Sequence, residues 1–284
     1  MKIGAHVTIL GGLTNAVIKA KEIGAECIQI FPASPQMWRI PPRTKQEIDE
    51  FNFLRKESGV NPVFIHSIYL INLASSKNTV FWGSISSLVK SMELAKEINA
   101  SGVIFHIGSG KEKQFKEVSN LVVKGIKEVL KKAPKKVYLI IENSAGAGNL
   151  IGDTLEEIGQ VIKLSGKDSR IKVCLDTQHI FASGYDLRNR KSVNKLFSEF
   201  KKHIGLNRLI AIHANDSKSN LGSNIDRHEN IGRGKIGIVG FKAFLSHPAV
   251  KKLPIIIETP GFEKQGSDYK DIDILKKIRS EVAK

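Results

Sequence analysis

Cysteine is scarce in this 284-residue chain: there are two, Cys27 and Cys174, each inside an apolar run. That is too few for a disulfide framework or a thiolate zinc site, and their setting suggests buried, inert thiols. No stretch approaches the roughly 18 consecutive apolar residues that a membrane span requires. The opening "MKIGAHVTILGG" lacks the charged, apolar and cleavage-site order of a signal peptide, so a cytoplasmic protein without membrane association is expected. No Pro/Gly/Ser-rich linker or low-complexity stretch interrupts the chain, so residues 1–284 are expected to form a single domain. Acidic residues also fall short, 28 against 44 lysines and arginines, a formal charge of +16 that favours a polyanionic partner such as nucleic acid. Solvated helix faces such as "KEVLKKAPKK" (Lys127 to Lys136) produce the same excess, so charge alone does not identify the partner.

What is present is a regular alternation. Short runs rich in Val, Ile, Leu and Phe recur along the chain: Lys2 to Thr8, Glu26 to Pro32, Pro62 to Ser67, Gly102 to Ile107, Lys136 to Asn143, Ile171 to Thr177, Leu209 to Asn215 and Pro254 to Thr259. A segment of helical periodicity follows each, for example "TNAVIKAKEIG" and "YKDIDILKKIRSEV". Eight strand-helix repeats predict an α/β fold of the (β/α)8 TIM-barrel class, a size at which one domain is usual. The longest connection without periodicity, "DSKSNLGSNIDRHENIGRGKIGIVG" from Asp216 to Gly240, is read as a structureless functional loop after strand seven.

Metal-capable side chains stand at the C-terminal ends of six successive strands: His66, His106, Glu142, Asp176 with His179, His213 and Glu258. A barrel brings these ends to one face, where enzymes of this fold build their sites. The long loop adds Asp226 and His228, whose alternate spacing lets both reach one ion if the backbone is extended. A lone strand-end histidine is more often structural, and a strand-end acid often caps the next helix. Repetition on six strands is harder to attribute to chance. Of the remaining histidines, His203 and His247 fall in helical contexts, and His6 is a possible lining residue at the first strand. Five imidazoles with four carboxylates and no thiolate suit zinc or a similar divalent ion held for catalysis. Nine ligands exceed one ion's needs but fit two or three ions sharing carboxylates, a site that would attract and polarise a phosphate and activate water. Phosphodiester hydrolysis is the natural reaction.

The stretches "HSIYLINLA" (from His66), "VCLDTQH" and "HANDSKSNLGSNIDRHENIGRGKIG" (from His213) closely resemble the endonuclease IV family of apurinic/apyrimidinic endonucleases, as do "GAHV", "IENSAGAGNLIG", "FASGYDLR" and "IIIETP". The resemblance runs almost end to end. It implies a deoxyribonuclease IV that cuts double-stranded DNA 5′ to an abasic site, leaving a 3′-hydroxyl and a 5′-deoxyribose phosphate, also trims blocked 3′ ends, and uses three zinc ions in a monomeric barrel. It further implies that His66, His106 and Glu142 hold one zinc, that Glu142, Asp176, His213 and Glu258 hold a second with Glu142 bridging and catalytic, and that His179, Asp226 and His228 hold the third. Tyr69 and Leu70 would wedge into the duplex beside the flipped-out abasic nucleotide, and Arg188, Arg190, Arg233 and Lys235 would meet phosphates.

Two positions depart from the family pattern. Bacterial relatives carry an arginine two residues before the tryptophan of "FPASPQMWRIPPRTK" and use it to fill the vacated base stack, where this chain has Gln36; and Gln178 stands where relatives often have cysteine. Two other functions are compatible with parts of the sequence. A sugar isomerase or epimerase of the xylose-isomerase-like kind would need only Glu142, Asp176, His213 and Glu258, leaving His66, His106, Asp226 and His228 unexplained. A basic nucleic-acid-binding protein without catalysis would need no ligand cluster at all.

Overall fold

The computed structural model describes residues 1–263 and 266–283. In chain order the elements are β1 (Lys2–His6), α1 (Leu13–Glu22), β2 (Ile28–Ile30), α2 (Lys45–Ser58), β3 (Val63–His66), α3 (Asn78–Glu97), β4 (Gly102–Phe105), α4 (Phe115–Lys132), β5 (Tyr138–Glu142) and α5 (Leu155–Leu164). There follow β6 (Ile171–Asp176), α6 (Thr177–Ala182), α7 (Arg190–His203), β7 (Leu209–His213), β8 (Asp216–Ser217), β9 (His228–Glu229), α8 (Gly237–Leu245), β10 (Pro254–Ile257) and α9 (Tyr269–Val282). β1 to β7 and β10 close into a parallel barrel in the order β1-β10-β7-β6-β5-β4-β3-β2, with β1 also paired to β2. This is the TIM barrel that the eight apolar runs predict. Each of the eight barrel strands ends one or two residues short of its run. Among the described residues no helix is long and apolar enough to cross a membrane.

Local chemistry sets the helix ends. Thr44 accepts from Glu47 N to start α2, which stops at Gly59 in the left-handed region (φ 70), and Gln114 with Glu117 forms a capping box on α4. Most of the core lies between barrel and helices. A smaller cluster of Cys27, Phe64, Ile104, Ile140, Cys174, Ala211 and Ile256 takes one residue from or beside each of seven barrel strands. Strand side chains alternate, so the residues two positions further on share that face one layer nearer the mouth. They are Gln29, His66, His106, Glu142, Asp176, His213 and Glu258. From β1, His6 stands two after Gly4, where an added Cβ would lie 1.7 Å from Cys27 O. Apolar residues therefore form the barrel's plug, and the chemistry-bearing ring rests on it. Both cysteines are fully buried, and burial pushes each thiol up to about 12.

The loop after β7 corrects one expectation, since it is not structureless. β8 and β9 pair antiparallel, Asp216 with Glu229 and Ser217 with His228. The buried Asp216 carboxylate accepts from the backbone N–H groups of Gly232, Gly234 and Ile236 at 2.9, 3.0 and 3.0 Å. Gly234 admits this approach, because a Cβ there would lie 2.4 Å from Asp216 Oδ1. An acid thus organises the turn that strand pairing cannot reach.

Candidate metal centre

Glu142 ends β5 at the centre of the ring with no exposure, and its two oxygens face different neighbours. Oε2 lies 3.1 Å from His66 Nε2 and 3.5 Å from His106 Nε2. Oε1 lies 2.8 Å from His213 Nδ1 and 3.4 Å from His179 Nδ1. Three groups have ligand atoms within 4.8 Å of one another: His66, His106 and Glu142; Glu142, Asp176, His213 and Glu258; and Asp176, His179 and His228. Asp226, on the loop before β9, adds to the third, its oxygens 3.4 Å from both His179 Nε2 and His228 Nε2. All nine candidate ligands named from the sequence therefore meet at one face.

The imidazoles are oriented from behind. His66 Nδ1 meets Ser67 O at 2.8 Å, His179 Nδ1 meets Asn143 O at 3.0 Å, and His228 Nδ1 meets Glu258 O at 3.2 Å. A carbonyl can only accept, so each of these rings must carry its proton on Nδ1 and, when neutral, aim a lone pair from Nε2 into the cluster. His213 is reversed, with Nε2 against Gln29 Oε1 at 2.8 Å and Nδ1 toward Glu142. His106 Nδ1 is buried without a hydrogen-bond partner among the described residues, while its Nε2 faces Glu142. At the outer edge, His179 Nε2 and His228 Nε2 approach to 3.4 Å beside the Asp226 carboxylate, and with both rings neutral these two nitrogens converge as acceptors. Converging nitrogen lone pairs with shared carboxylates fit divalent ions of the zinc type.

The electrostatics are mutually dependent. Burial works to raise the Glu142 carboxyl, but the charges of His213 and His106, with hydrogen bonds from His179 and His213, hold it well below the usual carboxylate range. Burial likewise works to lower His179, and Asp176, Asp226 and Glu142 outweigh it and lift the imidazole well above its ordinary value. Asp226 falls to about 2 against its own partial burial, through its hydrogen bond and attraction to His179 and the charge of His228. A divalent ion would replace imidazolium protons as the partner of these acids, so binding would release protons.

Asp176 divides the two roles open to a strand-end acid. Oδ1 accepts from His179 N at 2.9 Å and caps α6, while Oδ2 accepts from Asn215 Nδ2 at 2.7 Å and lies 3.9 Å from both His213 Nδ1 and His228 Nε2. Sequence reasoning missed three supporting amides. Asn143 Oδ1 accepts from Asp176 N at 2.7 Å, Asn215 Oδ1 accepts from Glu258 N at 2.8 Å, and Gln29 Nε2 donates to Glu258 Oε1 at 2.5 Å. The signal for Gln29 was its place within the apolar "CIQIF", two residues after an inward position. His6, the lining candidate from the first strand, lies 3.4 Å from Glu258 through Nδ1.

The rim carries the remaining candidates. Tyr69 is 64% exposed, with its ring edge-on to Phe31 at 5.3 Å and its N–H donating to Pro35 O at 2.9 Å. Leu70 is half-buried and packs on the core, whereas Gln36 is exposed in the loop after β2. Arg188 is exposed but held by both oxygens of Asp186 at 2.9 and 3.1 Å, and Arg233 lies 4.1 Å over the Phe262 ring. Lys235 is exposed, its N–H bonded to Ser217 O at 2.7 Å. Arg190, opening α7, lines a groove with His247 and Pro248 rather than the metal cluster. A small cavity of about 150 Å³, lined by His66, Tyr69, His106, His179 and Asp226, leads from Tyr69 to the cluster.

Comparison with known proteins agrees with this architecture. Residues 17–278 match the family model described as "Xylose isomerase-like TIM barrel". The chain is 38% identical over 277 residues to a protein of Halothermothrix orenii named "Probable endonuclease 4", covering 98% of this chain and 100% of that one. Among solved structures, endonuclease IV from Thermus thermophilus superimposes with a TM-score of 0.88 at 31% identity, covering 99% of this chain and all of that one. A D-tagatose 3-epimerase-like protein superimposes with a TM-score of 0.75 at 20% identity, a likeness of fold alone.

Proposed function

The chain belongs to the endonuclease IV family of xylose isomerase-like TIM barrels, which makes it a DNA-directed hydrolase, and on that footing we propose that it is a zinc-dependent repair enzyme that cuts duplex DNA 5′ to abasic sites. The products are a 3′-hydroxyl and a 5′-deoxyribose phosphate, and the same chemistry trims blocked 3′ ends. The observation that carries the reading is the division of Glu142, one oxygen toward His66 and His106 and the other toward His213 and His179. A carboxylate so placed suits a bridge between two ions, and the third group, His179, Asp226 and His228, completes a set for three.

Zinc held by these groups would supply Lewis acidity to a phosphate oxygen and make water nucleophilic near neutral pH. The chain's own residues do the rest. Glu142, buried and gripped on both oxygens, fixes the spacing between the first two groups. Carbonyls of Ser67, Asn143 and Glu258 set the imidazole tautomers. Tyr69, projecting from the rim, with Leu70 beside it, wedges into the duplex, and the +16 net charge attracts the polyanion to the protein. The enzyme works as a monomer.

The test is incubation of the zinc-loaded chain with a duplex bearing one abasic site, with both ends of the nick mapped and zinc per chain measured. A 5′-side cut by a protein holding about three zinc ions is expected. Intact duplex, or a cut on the 3′ side, overturns the reading; epimerisation of a ketose by a chain holding a single ion would indicate the sugar-enzyme alternative.

A further inference from the structure

The mouth accounts for only part of the excess positive charge. At the opposite end of the barrel a groove of about 850 Å³ runs between the C-terminal ends of α5 and α7. Lys163, Lys167, Lys201, Lys202 and Arg208 line it, with Glu156 as its carboxylate. The four lysines are exposed, and among the described residues none has a carboxylate within ion-pair distance. The nearby acid, Asp168, is occupied by Arg170 at 2.9 and 3.2 Å. Arg208 is pinned along the floor, donating to the carbonyls of Asp168, Ile171 and Lys167 at 2.9, 2.7 and 2.9 Å, and its charge is shared with the nearby Asp168 carboxyl. The walls are fixed, because at Gly159 a Cβ would lie 2.5 Å from His203 O, so the two helices touch.

Helix dipoles explain a lysine in the last turn, as for Lys163, Lys201 and Lys202. The effect fades beyond that turn, yet Lys167 lies past the end of α5. Lys135 and Lys136 precede β5, and Lys251 and Lys252 precede β10, so they enter the barrel at this same end. Basic residues thus concentrate on a face that the metal cluster does not use.

We propose that this face binds the phosphate backbone of a second DNA segment while the mouth holds the first. The inference rests on the DNA-cleaving reading above. Lysine stems carry mobile point charges suited to phosphates, and the one guanidinium is tied to backbone carbonyls, so the contact reads no bases and is independent of sequence. Whenever the mouth is engaged on long DNA, another stretch of the same molecule is present at high effective concentration, which makes it the natural occupant.

The test uses the zinc-loaded full chain with its mouth saturated by a short abasic duplex, to which a second, labelled intact duplex is added over a range of salt. The parent protein is expected to capture the second duplex. A variant carrying Lys163→Gln, Lys167→Gln, Lys201→Gln and Lys202→Gln should capture it about tenfold more weakly, with a salt slope shallower by about three. It should nick the short abasic duplex at the parent rate, and the corresponding fourfold Lys→Arg variant should restore capture. Failure of the saturated parent to capture, or equal capture by the Gln variant, overturns the proposal, including the case in which an acidic protein is bound instead. Failure of the parent to nick the short duplex would instead sink the underlying functional reading.

Discussion

Gln29 Oε1 lies 2.8 Å from His213 Nε2, and the same amide donates through Nε2 to Glu258 Oε1 at 2.5 Å. One side chain thus sets the tautomer of an imidazole and the orientation of a carboxylate in a single candidate metal group. Gln29→Leu should weaken zinc binding to that group by about 10- to 100-fold, with lost activity partly restored by excess zinc. Zinc titration of the two proteins decides it, and unchanged affinity would remove Gln29 from the supporting shell.

Glu142→Gln replaces one of the two carboxylate oxygens that face the histidine pairs with an amide nitrogen, which cannot be a ligand. Cleavage of abasic duplex should fall by at least about a hundredfold while affinity for the duplex largely survives. Near-parental turnover in zinc-replete buffer would end the bridging assignment. Prolonged chelation with metal loss confirmed should abolish activity in the parent.

The barrel was legible because its strands are apolar and its helices periodic, and the ring of ligands because acids and histidines are conspicuous at the ends of such strands. Gln29 escaped notice for the same reason, being a neutral amide in a run read only for titratable groups, although the two-residue step from Cys27 places it in the ring as surely as the step from Phe64 places His66. Asn143 and Asn215 were also invisible, since their value lies in carbonyls and amides that turn inward only after the strands close. The order within the Asp216 loop depended on five backbone N–H groups converging on one carboxylate, which no periodicity encodes.

Gln178 sits between Asp176 and His179, and its Nε2 donates to Ile225 O at 3.0 Å, one residue before Asp226. Its carboxamide therefore ties the loop bearing Asp226 to the helix bearing His179. Gln178→Ala should loosen the outermost group first, giving loss of about one zinc per chain under mild chelation while the inner two remain. Loss of all ions together, or of none, would show that Ile225 needs no such tether.

Asp271 is fully buried in the first turn of α9, accepting from Ile231 N at 2.8 Å and Thr259 Oγ1 at 2.7 Å, and burial pushes its carboxyl up to about 6 against those donors. The folded state then holds the proton more tightly than the unfolded chain, so this group's contribution to stability falls as pH rises from about 4 to about 6 and stays low above that. Asp271→Asn keeps an acceptor for Ile231 and can donate to Thr259. It should be more stable than the parent at about pH 8, by on the order of 1 to 3 kcal/mol, with the advantage gone near pH 4. Urea unfolding of both proteins at the two pH values is the measurement, and an equal difference at both would show that the carboxyl does not titrate as described.

At the rim, Tyr69 stands out into solvent while Leu70 is partly packed on the core, and the loop carrying Gln36 is tied to Tyr69 through Pro35 O. If Tyr69 and Leu70 supply the wedge, Leu70→Ala should reduce discrimination between abasic and intact duplex with little change in salt slope, because an apolar insertion releases no counterions. Gln36→Arg places a planar cation in the same neighbourhood. It should tighten abasic binding by on the order of 1 kcal/mol and steepen the salt dependence by about one phosphate contact. Binding titrations across several salt concentrations separate the two effects. Were Leu70→Ala to leave abasic preference intact while Gln36→Ala destroyed it, the neutral amide would be the group that fills the vacated stack, and the wedge would have to be reassigned from the loop after β3 to the loop after β2.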